Sequence, residues 1–195
     1  LSIPIFRRIA ERLDILDYPS SALKQHARPV SYLGGVAVFA GVGGGIALTS
    51  AWIPLSAPEL ATLLIGTAAM LCMGLADDLH PISPYPKLIF QILAVTLVIL
   101  GGLHVSIHAF PPALNYFLTY LWMLSMTNAF NIIDVHDGLC SGTGILVAAG
   151  LVLVSLFTPL YDKTFVTVSA AAIAGGLAAF FLVNRPPAKM FLADA

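Results

Sequence analysis

Six apolar stretches of membrane-spanning length, separated by prolines, constrain the fold of this chain more than any other feature. They run over approximately residues 34–53, 59–76, 87–103, 114–133, 139–158 and 164–183. A bilayer core accommodates about 20 mostly apolar residues as a helix, and within hydrocarbon a helix satisfies every backbone N–H and C=O from its own segment. Pro54, Pro58, Pro81, Pro84, Pro86, Pro111, Pro112 and Pro159 fall in the predicted connections, where a missing N–H is tolerated. Composition agrees, because 58% of residues are hydrophobic and only 10% charged, with a mean hydropathy of +0.92, whereas soluble domains carry about 25% charged residues. The expectation is an all-α, polytopic helical membrane protein with six transmembrane helices and cytoplasmic active-site loops. Residues 1–195 read as a single integral membrane domain, abrupt at both ends and so a piece of a longer protein.

Six spans place residues 1–33, the loops after the second and fourth spans, and the C-terminal tail on one side. That side holds Arg7, Arg8, Arg12, Lys24, Arg28, Lys87, Arg185 and Lys189, and only Lys163 lies opposite. By the positive-inside rule the basic side is cytoplasmic, which predicts a multi-pass membrane protein. The net charge of −1 gives no reason to expect nucleic acid as a partner. Cys72 and Cys140, both near cytoplasmic helix ends, read as reduced thiols.

An Asp at the centre of an inserted helix costs roughly 2.5–3.5 kcal/mol, and none of the acids here is central. Asp77 and Asp78 close the second span, Asp134 and Asp137 follow the fourth, and Asp194 follows the sixth, all predicted at the cytoplasmic face. A solvated helix end accounts for any one of them. As a group they oppose the helix macrodipole, which favours cations at C-termini by about 0.3–1 kcal/mol; a bound cation would reverse that penalty. Asn128, Asn131 and Asp134 recur every three residues, so they share one helical face. Interhelical hydrogen bonding, worth about 0.6 kcal/mol on average, explains one Asn better than the row. Mg²⁺, which takes one or two protein oxygens and leaves the rest to water and phosphate, explains the row better.

Other signals are weaker. His104 and His108 lie in a short connection on the opposite side, where interfacial packing is expected. The run GVGGG at 41–45 lacks the Lys-Ser/Thr of a phosphate loop, so close helix packing through Gly41 and Gly45 is expected. The segment DYPSSALKQHARPVSYLGG, residues 17–35, sets Lys24, His26 and Arg28 at alternate positions. It reads either as a solvated basic loop or as an anion-binding flap over the acids. Two further classes stay open at this level. Acids in membrane helices mark ion-coupled transporters, although these place them near the midplane. Paired aspartates from separate helices also suggest an intramembrane aspartyl protease.

Four stretches together resemble the polyprenyl-phosphate N-acetylhexosamine-1-phosphate transferases. They are the 17–35 segment, GLADDLHPISPYPKLIFQ at 74–91, NAFNIIDVHDGL at 128–139 and the terminal KMFLADA, similar in order and spacing to the family's pattern. Val135 stands where the second motif usually has Gly, and Ala193 where Gly precedes the last Asp. The resemblance implies transfer of N-acetylhexosamine 1-phosphate from a UDP-sugar to undecaprenyl phosphate, with release of UMP. It also implies Mg²⁺, or Mn²⁺ in its place, and a homodimer. The flap looks like that of the N-acetylglucosamine branch; the peptidoglycan branch typically has Thr-Pro-Thr-Met-Gly-Gly there. By resemblance, Asn131 and Asp194 hold the metal and Asp77, Asp78 and Asp134 form the catalytic acidic rim. Lys24, His26, Arg28, Lys87, Asn128 and Asp137 bind substrate, with Lys87 clamping a phosphate and Asp137 reading the uracil edge.

Overall fold

The structure is a computed structural model that describes residues 2–13, 15–17, 30–158 and 163–192. Seven helices follow one another: α1 (Ser2–Leu13), α2 (Gly34–Ser50), α3 (Ala57–Leu79), α4 (Pro84–Leu100), α5 (Pro112–Ile133), α6 (Leu139–Phe157) and α7 (Lys163–Asn184). Between α1 and α2 two short antiparallel strands, β1 (Leu16–Asp17) and β2 (Val30–Ser31), pair Leu16 with Ser31 and Asp17 with Val30. No other strands occur among the described residues, and helices make up most of them, as expected.

All six expected apolar segments are helices, with ends shifted by a few residues. The shifts have a common cause. Pro58, Pro84 and Pro86 were expected in connections, but they lie inside the first turns of α3 and α4, and Pro112 opens α5. The first N–H groups of a helix have no intrahelical acceptor, so proline is tolerated there and its fixed φ suits the turn. Three helices, α3, α6 and α7, are long and apolar enough to cross a membrane. α2 and α4 have 17 residues each, and α5 is diluted by Asn115, Thr119, Asn128 and Asn131.

Short connections stack consecutive helices side by side. α6 packs most extensively on α7, and α7 on α2; α3 packs on α4 and α4 on α5. These make two groups, α2–α6–α7 and α3–α4–α5, which touch each other less. Small residues allow the close approaches. A Cβ on Gly144 of α6 would fall 2.7 Å from Leu177, and one on Gly176 of α7 would fall 2.8 Å from Val42 of α2. Gly41 and Gly45, expected to allow close helix packing, face Ala172, Gly175 and Gly176 of α7 across a small groove, and the tightest α2–α7 approach is at Gly176 against Val42.

After α7 the chain turns through prolines into an extended strap, residues 188–192, that lies across the entry to α2. Met190 forms a parallel bridge with Ser31, Phe191 N–H donates to the Ser31 carbonyl (3.0 Å), and Gly35 N–H donates to the Leu192 carbonyl (3.1 Å). Gly34 is required at this crossing, since a Cβ there would lie 2.1 Å from the Phe191 carbonyl oxygen.

Candidate active site

The ends of α3, α5 and α7 and the beginnings of α2, α4 and α6 meet at one end of the bundle, and most of the expected site residues that are described lie there. Asp77, in the last turn of α3, is buried; its Oδ1 accepts from Ile82 N–H (2.7 Å), and its Oδ2 is ion-paired with Lys87 Nζ. The Ile82 bond folds the α3–α4 turn back over the carboxylate and so places Lys87, in the first turn of α4, against it. Removing one member of a buried pair leaves an uncompensated charge and costs about 3–5 kcal/mol. Asp78 is next in the helix and half-buried, with one carboxylate oxygen fully buried.

A second polar connection follows one helical turn along. Lys87 and Gln91 are four apart on α4 and share a face; Gln91 is buried, and its Oε1 accepts from Asn128 Nδ2 of α5 (2.9 Å). Asn128 also donates to the Leu124 carbonyl (2.8 Å). Asn131 and Asp134 continue the same face of α5 at three-residue steps, as their spacing predicts. Asp134 then meets the side chain of Cys140 in α6, within hydrogen-bonding reach. A polar ladder thus runs from Asp77 through Lys87, Gln91, Asn128 and Asn131 to Asp134, drawing on three helices.

Gln91, Asn131 and Asp134 of this ladder line a cavity of about 360 Å³ between α3, α4 and α5. Asn131, Asp134, Cys140 and Leu192 line one part; Leu63, Met70 and Met73 of α3, Ala94, Val95 and Val98 of α4, and Met123 of α5 form an apolar wall reaching Leu103. From Leu63 to Met73 is about 15 Å of helix at 1.5 Å per residue, so the cavity extends well along the apolar bundle.

Asp137 is exposed in the α5–α6 turn, and its Oδ2 accepts from Ala188 N–H (2.9 Å). Gly138 next to it has φ +77°, a left-handed conformation that favours glycine, and its N–H donates to Asn184 Oδ1 (3.1 Å). Lys24, His26, Arg28 and Asp194 lie outside the described residues. The paired strands β1 and β2 form the root of the segment carrying Lys24, His26 and Arg28. Gln91 and Asn184 were not singled out from the sequence, and Cys140 was read there only as a reduced thiol. Gln91 had a signal, being the one strongly polar residue of its apolar stretch besides Lys87, one turn before it; Asn184 had none beyond closing a span. Cys72 and Cys140 are both free thiols, and His104 packs edge-on against Tyr116 with ring centroids 5.3 Å apart.

The donor set suits a hard divalent cation more than zinc. Asn131 and Asp134 offer amide and carboxylate oxygens at the cavity, and among the described residues no group of three or more His, Cys, Asp or Glu could hold a metal by itself. Mg²⁺ needs few protein ligands when phosphate oxygens and water supply the rest, so these residues fit it.

Comparison with known proteins agrees with this geometry. The family described as glycosyl transferase family 4 matches residues 60–195. The chain is 26% identical, over 98% of its length and 54% of the relative, to a Bacillus subtilis protein named probable undecaprenyl-phosphate N-acetylglucosaminyl 1-phosphate transferase. It is 26% identical to the decaprenyl-phosphate N-acetylglucosaminephosphotransferase of Mycobacterium tuberculosis, over 97% of the chain and 52% of the relative. It is 32% identical to the phospho-N-acetylmuramoyl-pentapeptide-transferase of Gloeothece citriformis, over 91% of the chain and 52% of the relative. The chain thus spans about half the length of these curated relatives. With the family matched over residues 60–195, most of its length, the chain belongs to glycosyl transferase family 4.

Proposed function

We infer that, within the full-length protein, this chain transfers N-acetylhexosamine 1-phosphate from a UDP-sugar to a polyprenyl phosphate and releases UMP. The observation that carries this is the junction of the polar ladder with the apolar cavity. A phosphate at Asn131 and Asp134 would have the Asn131 amide N–H as a donor, with a bound cation offsetting the Asp134 carboxylate, while an isoprenoid chain attached to it would have the Met70, Val95 and Val98 wall to lie against. The names of the relatives combine a polyprenyl phosphate with an amino-sugar phosphate. The flap sequence favours UDP-N-acetylglucosamine as donor, and the resemblance implies undecaprenyl phosphate as acceptor.

In the reaction an oxygen of the lipid phosphate attacks the β-phosphorus of the UDP-sugar. A new P–O–P bond forms as the bond from that phosphorus to the bridging oxygen breaks, and UMP leaves with the bond's electron pair. Phosphoryl transfer of this kind depends chiefly on positioning and charge neutralisation. Asn131 and Asp194 would hold Mg²⁺, which when bound would supply charge neutralisation at the diphosphate. Lys87 supplies a fixed positive charge; an ammonium group has three donors, so pairing with Asp77 is compatible with contact to a phosphate.

Asp77 acts by positioning. Both of its oxygens are engaged, one by Ile82 N–H and one by Lys87, and a phosphate monoester with a second pKa of about 6 is already largely ionised at neutral pH. A base would therefore gain only a fraction of the ~1.4 kcal/mol that accompanies one pKa unit. Asp78 and Asp134 complete the acidic rim, Asn128 sets the Gln91 side of the site, and Asp137 reads the uracil edge with Lys24, His26 and Arg28 closing over the phosphates.

The same reading makes all six long helices transmembrane. Leu88, Ile92, Leu121, Trp122, Leu151 and Leu182 are exposed on their flanks, a lipid-facing pattern on an apolar bundle. Lys87, Arg185 and Lys189 lie at the ladder end, which is then the cytoplasmic face. An ion-coupled carrier would place its polar groups near the midplane of broken helices, whereas α3 to α7 run unbroken and their acids sit at the ends.

Membranes containing the full-length protein, given labelled UDP-N-acetylglucosamine, undecaprenyl phosphate and Mg²⁺, should release UMP only when the lipid is present. A UDP-linked N-acetylmuramoyl-pentapeptide run in parallel decides the donor. Lipid-independent release, or none with either donor, overturns the function.

A further inference from the structure

Asn184 closes α7 and is 2% exposed, yet its amide touches two segments that are far apart in sequence. Its Oδ1 accepts from Gly138 N–H (3.1 Å) and from Ser141 Oγ–H (2.7 Å), and its Nδ2 donates to the Met190 carbonyl (3.1 Å). An amide oxygen has two acceptor sites and an amide nitrogen only donates, so the three partners fix the orientation of the group; a flipped amide would set N–H against N–H and O against O. The first two partners belong to the α5–α6 turn and the start of α6, next to Asp134, Asp137 and Cys140. The third belongs to the strap, whose Leu192 lines the cavity with Asp134 and Cys140. Asp137 repeats the connection on the rim through Ala188 N–H. Met190 in turn bridges to Ser31 at the root of the flap.

We propose that Asn184 is a positioning residue that holds the Asp134–Gly138 turn and the strap in register, so that two walls of the site and the flap root form one unit. This rests on the transferase reading, since register matters only if substrate spans those walls. Asn184 touches no substrate itself. It acts because geometry at a phosphoryl-transfer site is set by its walls, and a misplacement of about 1 Å can cost on the order of 10²-fold in rate.

The test uses the full-length protein in detergent or nanodiscs and three variants. Asn184→Asp keeps an acceptor for Gly138 and Ser141 but faces the Met190 carbonyl with a second oxygen. Asn184→Ala removes every bond. Ser141→Ala removes one turn-side bond and leaves the strap held. UMP release per folded molecule should fall about 10²-fold in kcat for the first two, with KM for the UDP-sugar within about threefold, and stay within about threefold for Ser141→Ala. Asn184→Asp, taken relative to the parent at each pH, should recover as pH falls, because a protonated acid donates to the Met190 carbonyl; Asn184→Ala should recover at no pH. Hydrogen exchange gives a reading independent of activity: Gly138 and Phe191 amides should be slow and matched in the parent, and Asn184→Asp should free Phe191 while Gly138 stays protected. Asn184→Asp and Asn184→Ala with kcat within threefold of the parent would overturn the proposal. So would an unprotected Gly138 amide in the parent, even where no variant folds. If the parent releases no UMP, the transferase reading fails and the exchange data still decide whether the clamp exists.

Discussion

Both halves of the bundle use glycines for close helix approach, Gly144 and Gly176 in one and Gly66 and Gly101 in the other, but they differ in what they do with the space and the polar groups between helices. In α2, α6, α7 and the strap the most deeply buried large side chains (Ile46, Phe180 and Met190) collect, and the buried Ser141, Ser155 and Asn184 are each hydrogen-bonded. In α3, α4 and α5 the helices enclose an open cavity lined by the buried Gln91, whose amide is bonded to Asn128, and the buried Asp77 is ion-paired with Lys87 further along the ladder. Close packing lowers the freedom of a segment, and an unfilled apolar space between helices forgoes dispersion contacts. The first half is built as a scaffold and the second as a receptacle. Substitutions in the two halves should therefore separate stability from activity.

The largest effect is expected at the receptacle's ion pair. Asp77→Asn should lower kcat by about 10²–10³-fold, the size of a lost preorganised electrostatic contact. The loss should be nearly equal at pH of about 6 and about 8.5, because the lipid phosphate, with its second pKa of about 6, needs no base over that range. A pH–rate profile of variant and parent checks this, and strong recovery at high pH would make Asp77 a base. Next comes Asn131→Ala, expected to cost about 10²-fold and to shift the Mg²⁺ titration to higher concentration; an unmoved titration would take Asn131 away from the metal. Met70→Trp fills the apolar wall, and should raise KM for polyprenyl phosphate about tenfold, the ~1.4 kcal/mol step of a lost apolar contact, while KM for the UDP-sugar stays put. The smallest effect on activity belongs to the scaffold: Gly144→Val, pressed against Leu177, should lower stability by about 1–3 kcal/mol with kcat per folded molecule unchanged. Thermal unfolding alongside UMP release measures both, and a kcat loss there without destabilisation would erase the distinction between the halves.

Much of the scaffold was legible in the sequence because apolar runs and prolines are local signals. The α3 and α4 starts were misplaced for a local reason as well, since proline marks a first turn as readily as a connection. On the receptacle side, the three-residue spacing of Asn128, Asn131 and Asp134 is intrinsic to a helix and could be read directly. What could not be read were contacts made by folding: Gln91 reaching Asn128, Asp134 meeting Cys140, and the strap crossing Gly34. Each joins residues from separate elements, and no periodicity encodes such a meeting. The β1–β2 pair, two residues per strand, is too short to leave an alternation pattern and exists because the chain around the flap root is held by α1, α2 and the strap.

The central claim is that the lipid carrier enters between α3, α4 and α5 with its phosphate at Asn131 and Asp134. A polyprenyl phosphate bearing a photoreactive group in its first isoprene units, irradiated with the full-length protein and mapped by mass spectrometry, tests it directly. Labelling at Met70, Val98 or Met123, competed by unlabelled polyprenyl phosphate, is the expected result. Competed labelling confined to α6 and α7 would contradict it.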